Sequence, residues 1–304
     1  MRIRLAITAI ILAILAMGID MGQAARAIAE IDLPHLVLVL ALVAIDRAVM
    51  ILRWILLLRA RDIRIATGDA IQLFLVSSFV GSFLPAGVGA DAARAYGLSR
   101  DAATGSEAVA SVAVDRLLGV LSLVVMAVVG VLAWSAGERG DGRLIAAIVA
   151  GAVACGAAFW ANEWLRTFIP AHRHQGFVVR RALQLADEVG RFRSHRGVLL
   201  HVMAWSLAVQ LLRITQAYLL GVGLGITVPY AYYLLFMPVA LLLLLLPISV
   251  SGFGLPQGGI VWMLQPRCVP EPQAFALSTL IVVTGLAGNL PGLVLWLRQR
   301  REIL

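Results

Sequence analysis

The 304-residue chain is 61% hydrophobic and 14% charged, with a mean hydropathy of +0.92, far outside the range of soluble domains. Apolar windows of the roughly 20 residues that a transmembrane helix needs recur from end to end, leaving no stretch for a soluble catalytic domain. The net charge of +8 is carried wholly by arginine, since no lysine occurs; in a polytopic chain such residues gather in cytoplasmic loops and set orientation, so nucleic acid is excluded as a partner.

The composition therefore predicts an all-α polytopic membrane helix bundle forming one domain over residues 1–304. The N-terminus, MRIRLAITAIILAILAMGI, sets Arg2 and Arg4 before an apolar run and has AARA at 24–27, a pattern shared by signal peptides and first membrane helices. The hydrophobic segments that follow need an inserted start, which favours the helix. Spans are expected at 4–20, 35–58, 108–134, 143–160, 198–222, 230–248 and 273–297. Two further segments, about 69–90 and 250–265, are apolar but broken by Pro and Gly.

Loop charge orients the chain. Residues 20–34, read as a loop, carry Asp20, Glu30 and Asp32 against Arg26 and belong outside, whereas Arg59, Arg61 and Arg64 against Asp62 belong inside. The basic loop at 161–197, with seven arginines against three acids, is also cytoplasmic, as is the N-terminus. Residues 69–90 must then enter and leave on the cytoplasmic side as a re-entrant hairpin. For 250–265, re-entry leaves the C-terminal RQRRE outside and a crossing puts it inside, so the total is seven or eight spanning helices with one or two re-entrant segments. The broken segments lie one in each half, which fits an inverted repeat of the kind that builds transporter sites. Within the basic loop, Val178, Ala182, Leu185, Val189 and Phe192 recur at helical spacing, as in a surface-lying or bundle-capping amphipathic helix.

Non-helical backbone at membrane depth survives only inside protein or beside a water-filled cavity. GSFLPAGVGADAARAYGLSR at 81–100 therefore predicts a cavity: Pro85 removes a donor, Gly87 and Gly89 permit turns, and a helix begins afterwards. Its free amides suit an anion, with Arg94 one turn further on, but Asp91 suits a helix cap paired to Arg94, and both readings stand. Asp46, Arg47, Asp115, Arg116, Gln210, Arg213 and Gln216 lie within spans and must face the bundle or water. Gln210, Arg213 and Gln216 are placed on one face. Adjacent Asp-Arg residues are not expected to face each other, so Asp46 and Asp115 should pair with arginines of other helices, either to hold the bundle or to serve function. Asn289, two residues before Pro291, is expected to satisfy backbone groups freed by the proline. No HExxH, GxSxG or P-loop occurs, and no catalytic residue, metal site or cofactor is assigned; Cys155 and Cys268 offer no metal spacing.

FVGSFLPAGVGADAARAYGLSR followed by EAVASVAVDRLLGVLSLVV is similar to the paired signature of the lysylphosphatidylglycerol synthase transmembrane, or flippase-like, family, and the resemblance continues into PISVSGFGLPQGGIVWML. It implies that Pro85, Gly87, Gly89, Asp91 and Arg94 form the first motif and Asp115, Arg116 and Gly119 the second. Gly252 and Gly254 match the third, where Leu255-Pro256-Gln257 replaces the family's Arg-Glu. The chain as given carries no aminoacyl-transferase stretch, so the resemblance implies the membrane half's activity. The expectation is an inner-membrane protein that translocates a phospho- or glycolipid, with Arg94, Arg116 and Arg213 holding a phosphate-bearing headgroup and Asp91, Asp115 and Asp46 as counter-charges. The alternatives are a transferase acting on a lipid carrier and a non-catalytic partner of a lipid-synthesis enzyme.

Overall fold

The computed structural model describes residues 21–82, 88–101, 103–135, 196–245 and 255–303, and regular structure among them is helical throughout. The helices are α1 (Met21–Ala29), α2 (Leu33–Ala60), α3 (Thr67–Gly81), α4 (Val88–Asp101), α5 (Gly105–Ser135), α6 (Arg196–Gly223), α7 (Tyr230–Leu245), α8 (Leu255–Leu264), α9 (Glu271–Ala287) and α10 (Leu290–Ile303). The expected spans at 4–20 and 143–160, the basic loop and its amphipathic helix lie outside the described residues.

Four stretches are long and apolar enough to cross a bilayer: Leu33–Ala60, Gly105–Trp134, Arg196–Gly223 and Glu271–Arg298. They contain the expected spans at 35–58, 108–134, 198–222 and 273–297. The last is broken between α9 and α10, because Pro291 has no amide to continue the ladder and its ring crowds the carbonyl four residues earlier. The loop expected over 20–34 instead holds α1, whose Ala27 and Ile28 pack with Ile31 against the main core.

The segment at 69–90 is a helical hairpin. Gly81 abuts Ala90 and Gly97 abuts Leu73, so α3 and α4 run antiparallel and return the chain to the end where it started. Each arm is too short to cross: the 15 residues of α3 cover about 22 Å, against roughly 30 Å of hydrocarbon. Trp54, Phe74 and Leu98 form the core between this hairpin and α2.

The second broken segment pairs with the helix before it. The Tyr232 hydroxyl donates to the Met263 carbonyl, bringing the last turn of α8 back to the first turn of α7. The expected span at 230–248 is thus one arm of a second hairpin, which leaves and rejoins the face where α6 ends. Glu271–Arg298 then crosses back. Asn289 meets Ser82, and Gly292 and Trp296 meet Leu75 and Phe79, so α10 descends antiparallel to α3. The C-terminal arginines accordingly finish at the same end as Arg59, Arg61 and Arg64, as the clustering of basic residues on one side of a membrane leads one to expect.

These directions give an inverted repeat. α2, the α3–α4 hairpin and α5 form one unit; α6, the α7–α8 hairpin and the α9–α10 span form the other, running oppositely. α2 lies antiparallel along α6, as the pairs Asp46–Arg213 and Arg53–Ser206 show. Two backbone crossings repeat as well: Gly130 of α5 presses on the Leu234 carbonyl of α7, and Gly292 of α10 on the Leu75 carbonyl of α3. At both places a Cβ would overlap the carbonyl, so only glycine permits the approach, as small residues do at membrane helix crossings. The correspondence of Arg53 with Arg213, Leu75 with Leu234 and Gly130 with Gly292 runs at nearly constant spacing along the chain.

Candidate functional site

Asp46, Met50 and Arg53 recur at i, i+4 and i+7 on α2, one stripe turned toward α6. A charge at the bilayer centre costs at least about 2.5–3.5 kcal/mol, which forces such residues inward and into pairs. The stripe meets acids and arginines from α4, α5 and α6 in two groups.

The lower group is nearer the arginine-rich end. Asp115 of α5 is held by two buried guanidiniums, with Arg53 Nε at 2.8 Å from Oδ1 and Arg94 Nη1 at 3.3 Å from Oδ2. Arg53 also donates from Nη1 to Ser206 Oγ of α6 at 2.9 Å. Arg94 reaches Asp91 at 3.5 Å and lies over the rings of Phe74 and Trp54, 4.4 and 5.3 Å from their centres. Such stacking on aromatic faces suits a desolvated guanidinium. Asp91 in turn meets Arg116 Nη1 at 3.1 Å. Arg94 and Asp115 have side chains only 5% and 6% exposed, but Asp91 is 20% and Arg116 38% exposed, so the group opens outward between α4 and α5.

The upper group lies near the middle of the membrane. Asp46 is residue 14 of the 28 in α2, and its Oδ1 accepts from Arg213 Nε at 3.1 Å. Arg47 curls back along its own helix to 3.6 Å from Asp46 Oδ2, which corrects the expectation that adjacent Asp and Arg cannot meet: the long arginine stem spans what the backbone geometry separates. Arg47 Nη2 donates to the Gly285 carbonyl of α9 at 3.0 Å. That carbonyl is free because, at the proline break, the Asn289 amide bonds Leu286 instead. The Asn289 side chain donates to Ser82 Oγ at the end of α3, at 2.8 Å, reaching across to the hairpin rather than serving its own backbone as expected. The end of α3 and the proline break between α9 and α10 therefore meet at mid-depth.

Between the groups, Gln210 donates to Ser122 Oγ at 3.1 Å and toward the Gly119 carbonyl at 3.4 Å. Gln210 thus turns to α5 while Arg213 turns to α2, so Gln210, Arg213 and Gln216 do not act as one face; two helices pack on that side of α6 and divide it.

Of the residues singled out from sequence, Asp91, Arg94, Asp115 and Arg116 come together, with Gly89 in the first turn of α4 and Gly119 beside Arg53, where a Cβ would stand 3.8 Å from Nη1. Arg213 is in the other group. Pro85, Gly87, Gly252 and Gly254 lie outside the described residues. Arg53, central to the lower group, was overlooked, as was Ser206. Their signal is the i, i+4, i+7 recurrence of Asp46, Met50 and Arg53, visible only if the span is read for polar periodicity.

Together the groups hold Arg47, Arg53, Arg94, Arg116 and Arg213 against Asp46, Asp91 and Asp115. Arginines outnumber acids by two among the described residues of this track. Arrangements of this kind bind and orient an oxyanion through charge-assisted hydrogen bonds.

No curated protein matches the chain. Residues 1–292 match the family described as lysylphosphatidylglycerol synthase TM region, in agreement with the multi-pass helical bundle and its coupled motifs. The chain therefore belongs to the lysylphosphatidylglycerol synthase transmembrane-region family.

Proposed function

We propose that this membrane protein translocates an amphipathic lipid with an anionic, phosphate-bearing headgroup, the headgroup following the polar track while the acyl chains stay in the bilayer. The observation that carries this reading is the excess of arginine over aspartate along a polar track that runs from Arg116, 38% exposed, to Arg213, 26% exposed. Among the described residues the buried charges balance, Arg53 and Arg94 against Asp46 and Asp115, so the surplus sits on the partly exposed Arg47, Arg116 and Arg213, where an anionic group can reach it. The inverted repeat supports it further, since alternating exposure of a central site is what two oppositely oriented units with broken elements provide in transporters. In this reading the arginine-rich end faces the cytoplasm of an inner membrane, with the N-terminus on that side.

Arg116 is the first contact, being the most exposed charge of the track and level with the α4–α5 opening. The test is transfer of labelled phosphatidylglycerol between leaflets of sealed proteoliposomes. The native chain moves it, and Arg116→Gln, which leaves Asp91 its pair with Arg94, slows movement at least tenfold while remaining folded. Unchanged movement in that variant refutes the role given to Arg116; no movement by folded native protein refutes translocation.

A further inference from the structure

The upper group has a feature that ion pairing does not explain. Arg213 Nη2 approaches the Met50 sulfur at 3.0 Å and Arg47 Nη1 approaches the same sulfur at 3.6 Å. A thioether is among the weakest acceptors in a protein, yet two guanidiniums aim N–H groups at it. Asp46, the acid of this group, is already shared by both. Arg47 Nε is buried without a hydrogen-bond partner. Next to it stands Gly288 in the α9–α10 break, where an added Cβ would come 3.1 Å from that nitrogen. Donors thus outnumber good acceptors at mid-membrane, and the absence of a side chain at Gly288 lets Val43 and Arg47 pack directly against the helix break.

We propose that Arg47 and Arg213 form an oxyanion site for a phosphate group, in which the Met50 sulfur holds the place that a phosphate oxygen takes. The site carries one net positive charge, two guanidiniums against Asp46, and so suits a phosphodiester or a singly charged phosphate. Among the described residues no uncommitted acid lies here for a cationic, aminoacylated headgroup. The inference deepens the proposed function by giving the track a central resting point, and it rests on that reading for its place in transport but not for binding itself.

The chemistry predicts opposite effects from neighbouring residues, which a merely structural cluster does not. Removing a donor weakens anion binding, whereas removing a competitor for the donors strengthens it. The experiment is equilibrium binding to the full chain in neutral detergent, with dihexanoyl-phosphatidylglycerol and inorganic phosphate as separate probes and as competitors. Arg213→Gln and Arg47→Gln weaken binding of the lipid by about tenfold or more, the loss of a charged hydrogen bond. Met50→Leu conserves volume and is tolerated in packed cores, and it tightens binding by about threefold by removing the sulfur. Asp46→Asn tightens it as well. If inorganic phosphate competes with the lipid, the site accepts phosphate from either source; if the lipid binds with the same variant pattern and phosphate does not compete, it is a lipid phosphodiester site. Binding that is indifferent to Arg47→Gln and Arg213→Gln, or weakened by Met50→Leu and Asp46→Asn, overturns the proposal. Since micelles require no transport, this pattern without translocation in vesicles refutes the proposed function and leaves the site, while translocation without the pattern does the reverse.

Discussion

Asp115→Asn isolates the electrostatics of the buried network. Asparagine matches aspartate in shape, so packing around α5 is preserved and only the charge between Arg53 and Arg94 is lost. The Asp115 side chain is 6% exposed and lies 2.8 Å from one guanidinium and 3.3 Å from the other. Removing one partner of a buried pair costs about 3–5 kcal/mol, because the remaining charge stays desolvated. Arg94 retains Asp91 and Arg53 retains Ser206, which sets the expected loss at the lower end, about 3 kcal/mol. Reversible unfolding in mixed micelles, followed by circular dichroism against the denaturing detergent's mole fraction, measures it. Adding Arg53→Met to Asp115→Asn removes one stranded charge and restores at least half of the loss. For comparison, Asp32→Asn breaks the exposed Asp32–His35 pair and costs under about 1 kcal/mol. An Asp115→Asn protein within about 1 kcal/mol of native refutes the claim that these arginines depend on one desolvated carboxylate.

Other consequences are directly measurable. Gly130→Ala and Gly292→Ala each drive a methyl into a carbonyl at the crossings of α5 with α7 and of α10 with α3, so both lower the yield of monodisperse protein, by about 1–3 kcal/mol of stability, and to a similar extent. Cysteines placed by Ser82→Cys and Asn289→Cys, whose native side chains meet at 2.8 Å, cross-link under mild oxidation; failure to do so contradicts the hairpin's depth. After Cys155→Ala, the exposed native Cys268 reacts with an impermeant maleimide from one face and a cysteine from Asp62→Cys reacts from the other, which tests the direction of the second hairpin.

The four long spans were legible because hydrophobic runs of that length have one use, and the first hairpin because loop charge on both sides of residues 69–90 left no other route. The second hairpin was harder to read. Its arms, α7 and α8, are joined across residues 246–254, and the alternatives for 250–265 treated that segment apart from the helix before it. The Tyr232–Met263 contact that pairs them is a tertiary fact with no local signal. For the polar track, residue types and spans were readable, and partners were not: which arginine meets Asp115 depends on how α2 and α4 pack, and Arg53 drew no notice because it is flanked by Leu52 and Trp54 in an otherwise apolar run. The curl of Arg47 onto Asp46 and the reach of Asn289 to Ser82 reflect side-chain length and a proline break, neither of which periodicity encodes.

The most direct test of the account is charge selectivity of lipid movement. Sealed proteoliposomes containing the native chain, with labelled phosphatidylglycerol in one preparation and labelled phosphatidylcholine in another, report transfer between leaflets by loss of the label's protection from an impermeant quencher. The surplus of arginine over aspartate along the track predicts that the anionic lipid moves at least about tenfold faster than the zwitterionic one, the discrimination expected from one unbalanced charge-assisted contact. Equal rates for the two, or no movement of either by folded protein, contradict it.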